Sequence, residues 1–214
     1  MSNKGEMKNL NVKRALISVS DKEGLTGFAK KLENCGIEII STGGTKKNIE
    51  DDGIRVKSVE EITNFPEIMN GRVKTIHPKI FGGILAREED KEQKEDLEIV
   101  DINLVVVNLY PFEETSKKEG ELSELIEMID IGGPSLIRAA AKNYSRVCVV
   151  VDPEDYEEVS SAIEKQQMNL DMRERLALKA FQYTAKYDAY IQSELSERFD
   201  LDIISNDYLN IIGK

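Results

Sequence analysis

The sequence predicts a three-layer α/β fold built on a doubly wound, mostly parallel sheet, with a helical extension at the C-terminal end. Short apolar runs alternate with segments of about ten to fifteen residues whose apolar positions follow helical spacing. The strongest runs are 103–110 (NLVVVNLY) and 146–151 (RVCVVV), in which apolar residues are continuous rather than alternating. Continuous runs are typical of strands that helices cover on both faces, as in parallel sheets.

The expected elements can be placed in order along the chain. Strands are predicted at 14–20, 37–41, 56–59, 103–110 and 146–151, and helices at 24–35, 43–51, 90–100, 122–129, 135–142 and 153–167. Gly36 and Gly53 suit helix ends, and Pro134 suits the first turn of the helix it precedes. Helical spacing between 171 and 199 predicts one long helix, or two. We expect a flexible N-terminus at 1–11, a domain at 12–168, a helical extension at 169–199 and a tail or linker at 200–214.

Composition limits the classes of function. The chain has 214 residues and a net charge of −11, which argues against a nucleic-acid-binding protein. No apolar run approaches the ~20 residues that span a bilayer, so we expect no membrane partner. Cys35 and Cys148 are far apart, which fits a reducing cytoplasm. His77 is the only histidine, which argues against a zinc site, and we expect no metal and no dissociable cofactor.

A basic segment at 71–83 (GRVKTIHPKIFGG) contrasts with this acidic background. It contains Arg72, Lys74 and Lys79 together with Thr75 and His77. Because Pro78 lacks an N–H, we expect a stiff loop rather than a helix here. A solvated surface loop would explain any single cation, but the cluster as a whole favours binding of an anion such as phosphate.

Polar residues follow three of the predicted strands, at 18–22 (SVSDK), 41–45 (STGGT) and 108–110 (NLY). Ligands in open α/β sheets bind beyond the carboxyl ends of the strands. Free N–H groups and two glycines before a helix make STGGT a candidate phosphate site. Gly-Gly turns before helices are also common connections, so this motif alone is a weak signal.

A possible acid/base pair lies further along the chain. Asp130 precedes a Gly-Gly-Pro bend, and Lys142 follows about three helical turns later. If the bend folds back, the two side chains could meet and form a general acid/base couple without histidine. Tyr110 would add a phenolic donor. The alternative is an ordinary helix end followed by a helix cap.

Six ordered blocks together resemble the inosine monophosphate (IMP) cyclohydrolase domain, the N-terminal half of the bifunctional purine-biosynthesis family PurH. The blocks are RALISVSDKEGL (14–25), STGGT (41–45), GRVKTIHPKIFGGIL (71–85), NLYPF (108–112), IDIGGPSLIRAAAKN (129–143) and VDPEDY (151–156). The resemblance runs from about Arg14 to Phe199. It implies a methylglyoxal-synthase-like (MGS-like) fold. It also implies closure of the formylated aminoimidazole carboxamide ribotide (FAICAR) to IMP with loss of water, the last step of de novo purine biosynthesis.

The resemblance also implies which residues act. The nucleotide contacts it implies are Ser20, Asp21, Lys22, Thr42, Gly43, Gly44, Thr45, Arg72, Val73, Lys74, Thr75, Val107, Asn108, Asp130 and Ile131. The catalytic group it implies is Lys74, Tyr110, Asp130 and Lys142. We expect Lys142, oriented by Asp130, to move the proton, with Lys74 and Tyr110 stabilising the oxyanion, although exchanging the two lysines fits almost as well. Phe81 departs from the family pattern, which usually has a histidine there.

Partners follow from the same resemblance. We expect a homodimer that binds the purine nucleotides FAICAR and IMP. In the family a formyl-transferring AICAR transformylase domain follows, opening with an RYGENPHQ-like motif that this sequence lacks, so we expect a cyclohydrolase half alone. Two other readings remain: a non-catalytic, nucleotide-binding regulatory MGS-like domain, and a methylglyoxal synthase. The set Tyr110, Asp130 and Lys142 favours an enzyme.

Overall fold

Five strands form one sheet in the computed structural model, which describes residues 9–110 and 122–201. The strands are β1 (Arg14–Val19), β2 (Glu38–Ser41), β3 (Val56–Ser58), β4 (Leu104–Asn108) and β5 (Cys148–Val150). Every pairing is parallel, and the order across the sheet is β3–β2–β1–β4–β5. The expected doubly wound sheet is confirmed, and all of its pairings are parallel.

Helices cover both faces of the sheet. They are α1 (Leu25–Asn34), α2 (Gly43–Asp51), α3 (Val59–Thr63), α4 (Pro78–Leu85), α5 (Lys91–Asp96), α6 (Leu122–Glu127), α7 (Gly132–Lys142), α8 (Tyr156–Glu164) and α9 (Leu170–Arg198), with 3-10 turns at Glu88–Asp90 and Pro153–Asp155. Helices α1, α2 and α8 pack on one face, and α4, α7 and α9 on the other. No helix in the described ranges is both long and apolar enough to cross a membrane.

The strand sequences explain the two-sided core. Leu16 and Val105 are paired neighbours and point to the face covered by α7 and α9, whereas Ile17 and Val106 point to the opposite face. All four are at most 1% exposed. Successive side chains of a strand point to opposite faces, so a strand covered on both faces must be apolar at every position. This requirement produces the continuous apolar runs seen in the sequence.

Three local expectations were wrong. Pro78 does not prevent a helix but begins one, because the first helical position needs no N–H donor. Helix α7 begins at Gly132, three residues before the expected start, and the predicted helix at 90–100 shortens to Lys91–Asp96. The segment after 169 is a single helix of 29 residues. Most of the expected flexible N-terminus and most of the expected tail lie outside the described residues.

Helix α9 lies antiparallel to α7 and contributes to the core. At its N-terminal end the buried guanidinium of Arg173 donates to the carbonyls of Tyr144 and Ser145, just beyond the end of α7. At the other end of α7, the hydroxyl of Tyr187 accepts a hydrogen bond from the backbone N–H of Asp130. The helix expected as an appended extension therefore covers α7 from end to end.

Candidate functional site

A cavity of about 540 Å³ opens at the carboxyl ends of β1 and β4. Its lining residues come from the segments 18–22, 42–45, 71–76, 108–110 and 126–136. The chain leaves β1 towards β2 on one side, and β4 lies on the other, so this is the point where the strand order reverses. Such switch points form a crevice in doubly wound sheets. The volume falls within the usual range for small-molecule sites, roughly 300–1,000 Å³.

The N-terminus of α2 forms one wall of this cavity. Thr42 precedes the helix in an extended conformation, and Gly43 begins it with a positive φ of 54°. The first N–H groups of a helix have no acceptor within it, so those of Gly43, Gly44 and Thr45 are free to bind an anion. The hydroxyl oxygen of Thr42 is buried and has no partner within the described residues. A ligand atom in the cavity would satisfy it.

The side-chain hydroxyl of Thr45, a predicted nucleotide contact, is hydrogen-bonded within the protein. It accepts a hydrogen bond from the backbone N–H of Val19 at 3.1 Å and donates to the carbonyl of Val19 at 2.9 Å. Thr45 is 5% exposed. Its side chain therefore ties the first turn of α2 to the end of β1, and its hydroxyl proton is donated within the protein.

Asn108 performs a similar task at the end of β4. Its Oδ1 accepts from the N–H groups of Ser20 and Asp21, at 2.7 and 2.9 Å, and its Nδ2 donates to the carbonyl of Asp21 at 3.0 Å. The Asn108 side chain thereby shapes the loop that carries Lys22. The amide of Asn108 therefore stabilises one wall of the cavity through hydrogen bonds to the backbone of Ser20 and Asp21.

The basic segment reaches the cavity from a tight turn. Met69, Asn70 and Gly71 all have positive φ, between 54° and 83°, and a backbone bridge joins Ile68 to Val73. Left-handed residues reverse the chain in a short distance. The turn places the two cations that follow it, at positions 72 and 74, along the cavity wall.

Three cations line the cavity, and they differ in their partners. Lys22 donates to the carbonyl of Ser20, and Arg72 forms an exposed ion pair with Glu127 at 3.2 Å. Lys74 has no hydrogen bond or ion pair with any residue in 9–110 or 122–201. Its ammonium lies over the start of α2, 3.7 Å from where a Cβ on Gly43 would stand. An unpaired cation above a helix N-terminus makes a favourable site for an anion.

The loop before α7 forms the opposite wall. The Oδ1 of Asp130 accepts from the N–H of Gly133 at 2.9 Å, which fixes the carboxylate at the start of the helix. A Cβ on Gly133 would lie closer than 3.0 Å to both Asp130 and Leu109, so only glycine fits between them. A Cβ on Gly132 would stand 3.0 Å from the hydroxyl of Thr75. The glycines thus let this loop approach both the β4 end and the basic segment.

The structure brings together most of the predicted catalytic group. Tyr110, 49% exposed, and Asp130 line the same cavity as Lys74, and so does the exposed Ile131. Lys142 does not. It is exposed at the last position of α7, about 15 Å along the helix axis from Gly132 at 1.5 Å per residue. The helix begins at Gly132, two residues after Asp130, so the bend does not fold back and the expected Asp130–Lys142 pair is absent from the described chain.

Several other expected residues lie beside the cavity and do not line it. Val107 is 1% exposed in the core, and Val73 takes part in the turn through its backbone. The Nδ1 of His77 accepts from the N–H of Lys79 at 3.1 Å, which caps α4. Phe81 packs partly buried against the core, so an apolar side chain suits this position.

Sequence reasoning missed two contributors to the site. Glu127 lines the cavity and forms the ion pair with Arg72, and Ile126 adds an exposed apolar side chain to the lining. Both belong to α6, which the sequence predicts only as an amphipathic helix, so no local signal linked them to the cavity. No cluster of three or more potential metal ligands occurs in the described part of the chain.

Two family models match the sequence. The model of the MGS-like domain matches residues 24–135, which include the cavity segments from α2 to the start of α7. The model of the AICARFT/IMPCHase bienzyme matches residues 140–211, which include α9. The two matches follow each other along the chain with little between them.

Similar proteins agree with these matches. The bifunctional purine biosynthesis protein PurH of Persephonella marina is 53% identical over 194 residues, which make up 89% of this chain and 38% of that protein. PurH of Listeria monocytogenes serotype 4b is 54% identical over 190 residues, or 86% of this chain and 37% of that protein. The chain thus spans a little over a third of these relatives. A crystal structure of ForH superposes with a TM-score of 0.77 at 32% identity, covering 86% of this chain and 99% of ForH.

Proposed function

The chain belongs to the family of MGS-like domains, and from this membership we propose that it is an IMP cyclohydrolase, closing FAICAR to IMP with loss of water. Identity above 50% to PurH over most of this chain supports the proposal, as does the match to the AICARFT/IMPCHase model. The observation that carries it is that one cavity contains the helix N-terminus at Gly43, Asp130, and Lys74, which has no ion pair with any described residue. Such a cavity suits a nucleotide with a phosphate at one end and reacting groups at the other.

We assign the phosphate to the start of α2. There it would accept hydrogen bonds from the N–H groups of Gly43 and Gly44 and from the buried hydroxyl of Thr42. Lys74, over Gly43, would supply the nearest positive charge, and Lys22 would close the other side. Arg72 would leave Glu127 easily, since an exposed ion pair is worth only about 0–1 kcal/mol.

The imidazole ring then faces Tyr110 and Asp130. In the ring closure, the carboxamide nitrogen forms a bond to the formyl carbon while one of its protons moves to the formyl oxygen. The resulting hydroxyl leaves as water with the proton of the formamide nitrogen. An amide is a poor nucleophile, so we expect orientation to contribute most. Asp130 is our candidate proton acceptor, and Tyr110 would donate to the developing oxyanion.

A direct assay tests this function. The purified chain is mixed with FAICAR, without folate or added metal, and IMP is followed by absorbance and chromatography. We expect catalytic formation of IMP. Tight binding of IMP without turnover would instead indicate a regulatory nucleotide-binding domain, and formation of methylglyoxal from dihydroxyacetone phosphate would indicate a methylglyoxal synthase. Either result would contradict the proposal.

The proposal includes a homodimer in the cytoplasm. Leu178 and Phe181 lie one turn apart on α9 and are 72% and 38% exposed, and the guanidinium of Arg138 covers the Phe181 ring at 5.7 Å. A second copy is the occupant we assign to this face. Light scattering should give twice the chain mass, and Leu178→Glu should give a monomer, whereas Leu97→Glu, at another exposed position, should not.

The proposed cytoplasmic location has a separate basis. The two free cysteines suit a reducing compartment.

A further inference from the structure

Two tyrosines of α9 hold the two loops that carry the candidate catalytic side chains. The hydroxyl of Tyr183 accepts a hydrogen bond from the N–H of Leu109 at 2.9 Å, immediately before Tyr110. The hydroxyl of Tyr187 accepts from the N–H of Asp130, also at 2.9 Å. Each tyrosine thus fixes the backbone at or next to a residue that we assign to catalysis.

Neither N–H has a backbone carbonyl as acceptor within 9–110 or 122–201. Strand β4 ends at Asn108, so Leu109 lies beyond the hydrogen-bonded part of the sheet. Leu109 is 5% exposed, so water does not replace the missing acceptor. Asp130 lies between the end of α6 at Glu127 and the start of α7 at Gly132, outside both helices. The tyrosine hydroxyls replace the missing acceptors. Burial raises the pKa of both phenols, so they remain neutral acceptors at physiological pH.

The geometry of α9 also fixes the distance between the two anchors. Tyr183 and Tyr187 are four residues apart in one continuous helix, so their backbones are separated by about 6 Å on one face. The loops they hold also touch, because Leu109 and Asp130 both pack closely around Gly133. A rigid helix therefore sets the separation of two loops that are more than 20 positions apart in the chain.

We propose that Tyr183 and Tyr187 are positioning residues, which hold Tyr110 and Asp130 at the separation that ring closure needs. This role rests on the cyclohydrolase function proposed above and assigns a task to α9. The helix lies outside the segment that the MGS-like model matches, 24–135. The segment that matches the MGS-like model thus provides most of the cavity, and α9 fixes the distance between the two loops that carry Tyr110 and Asp130.

Single-oxygen deletions test the proposal. The variants are Tyr183→Phe, Tyr187→Phe and the double variant, with Tyr190→Phe as the matched control. Tyr190 lies on the same helix and packs partly buried against the core, but its hydroxyl has no hydrogen bond within 9–110 or 122–201. Circular dichroism and thermal unfolding check the fold, and Tyr183→Phe alone suffices if Tyr187→Phe does not fold.

The first measurement does not depend on activity. Amide hydrogen exchange, read by nuclear magnetic resonance, should become at least about tenfold faster at Leu109 in Tyr183→Phe and at Asp130 in Tyr187→Phe, while Tyr190→Phe changes neither. Unchanged exchange at these amides would overturn the proposed anchoring, whatever the kinetics.

The second measurement separates positioning from a purely structural role. Each anchor variant should lower kcat for IMP formation by roughly ten- to a hundredfold while the Kd for IMP changes less than about threefold. Because both hydroxyls set one separation, the double variant should lose less than the product of the single losses. Wild-type kcat in both folded variants would overturn the positioning role alone. A wild-type protein that forms no IMP would overturn the proposed function itself.

Discussion

The hydroxyl of Thr45 is hydrogen-bonded twice to the backbone of Val19, accepting from its N–H at 3.1 Å and donating to its carbonyl at 2.9 Å. Both residues are 5% exposed, so water cannot replace these bonds. This pair joins the helix N-terminus that we assign to phosphate binding to the strand at the centre of the sheet. The side chain of Thr45 therefore supports the helix N-terminus that lines the cavity, and its hydroxyl proton is already donated within the protein.

Replacing Thr45 by valine tests this support. Thr45→Val keeps the shape but leaves a buried N–H and carbonyl without partners, which costs about 1–3 kcal/mol in the free energy of unfolding. The control is Thr26→Val, since the Thr26 hydroxyl donates to the surface carboxylate of Asp52. We expect the control to change stability by less than about 0.5 kcal/mol in urea unfolding. Equal stability of the two variants would contradict the assignment.

Thr42 should respond in the opposite way. Its hydroxyl is buried without a partner in the described chain, so Thr42→Val removes a desolvated polar atom and should leave stability unchanged or slightly raised. If the hydroxyl binds the ligand phosphate, the same change should weaken binding of IMP by roughly tenfold, equivalent to about 1.4 kcal/mol. Calorimetric titration and thermal unfolding measure the two effects. Weaker binding together with lower stability would indicate damage to the fold instead.

The proton-transfer role of Asp130 can be separated from its structural role. Asn can still accept the N–H of Gly133 but cannot take up a proton, so Asp130→Asn should fold normally. We expect kcat to fall by roughly two to four orders of magnitude, the usual contribution of a positioned acid or base. Asp51→Asn, at the exposed end of α2, is the control. Retention of more than about a tenth of kcat would exclude Asp130 as the base.

The sheet and the cavity could be predicted because they depend on local chemistry. The short run at 104–107 is apolar and rich in β-branched residues, which favours a buried strand, and polar residues at the carboxyl ends of such strands meet at one edge. The turn that positions Arg72 and Lys74 could not be predicted in the same way. It places Met69 and Asn70 in the left-handed conformation, which is uncommon for residues other than glycine and has no clear sequence signal here.

Side-chain roles were harder to predict because they depend on contacts distant in the chain. The sequence around Thr45 does not indicate that its hydroxyl is hydrogen-bonded to the backbone of Val19. The sequence around Tyr187 does not indicate that its hydroxyl accepts a hydrogen bond from the N–H of Asp130. The expected Asp130–Lys142 pair required the bend at 132–134 to separate two elements. The bend instead lies inside the first turn of α7, so the helix carries Lys142 away.

The two cysteines should differ sharply in reactivity. Cys35 is exposed, whereas Cys148 is fully buried in β5, and burial raises the pKa of its thiol to about 12. Alkylation at pH 8 should modify Cys35 alone, and mass spectrometry should detect a second adduct only in urea. Above pH 9 stability should fall, because only the unfolded chain ionises the Cys148 thiol there. Rapid modification of Cys148 in the native protein would contradict its place in the core.

The last prediction compares the two lysines that the sequence left interchangeable. Lys74 lies in the cavity over Gly43 with no partner in the described chain, whereas Lys142 is exposed at the far end of α7. Lys74→Met should lower kcat/KM by at least about a hundredfold, because it removes a charge that attracts both the phosphate and the developing oxyanion. Lys142→Met should keep kcat within about threefold of the wild type, since surface substitutions rarely act at a distance.

Both variants change an exposed lysine to a side chain of similar length, so equal stability is expected and each serves as the control for the other. Measurements at saturating FAICAR and of IMP binding separate charge attraction from chemistry. If Lys142→Met lost activity while still binding IMP, Lys142 would have to act on a cavity that it does not line in its own chain, since about 15 Å of helix separates it from Gly132. That result would contradict a site completed by one chain, and it would make the activity of mixed dimers of the two variants the next measurement.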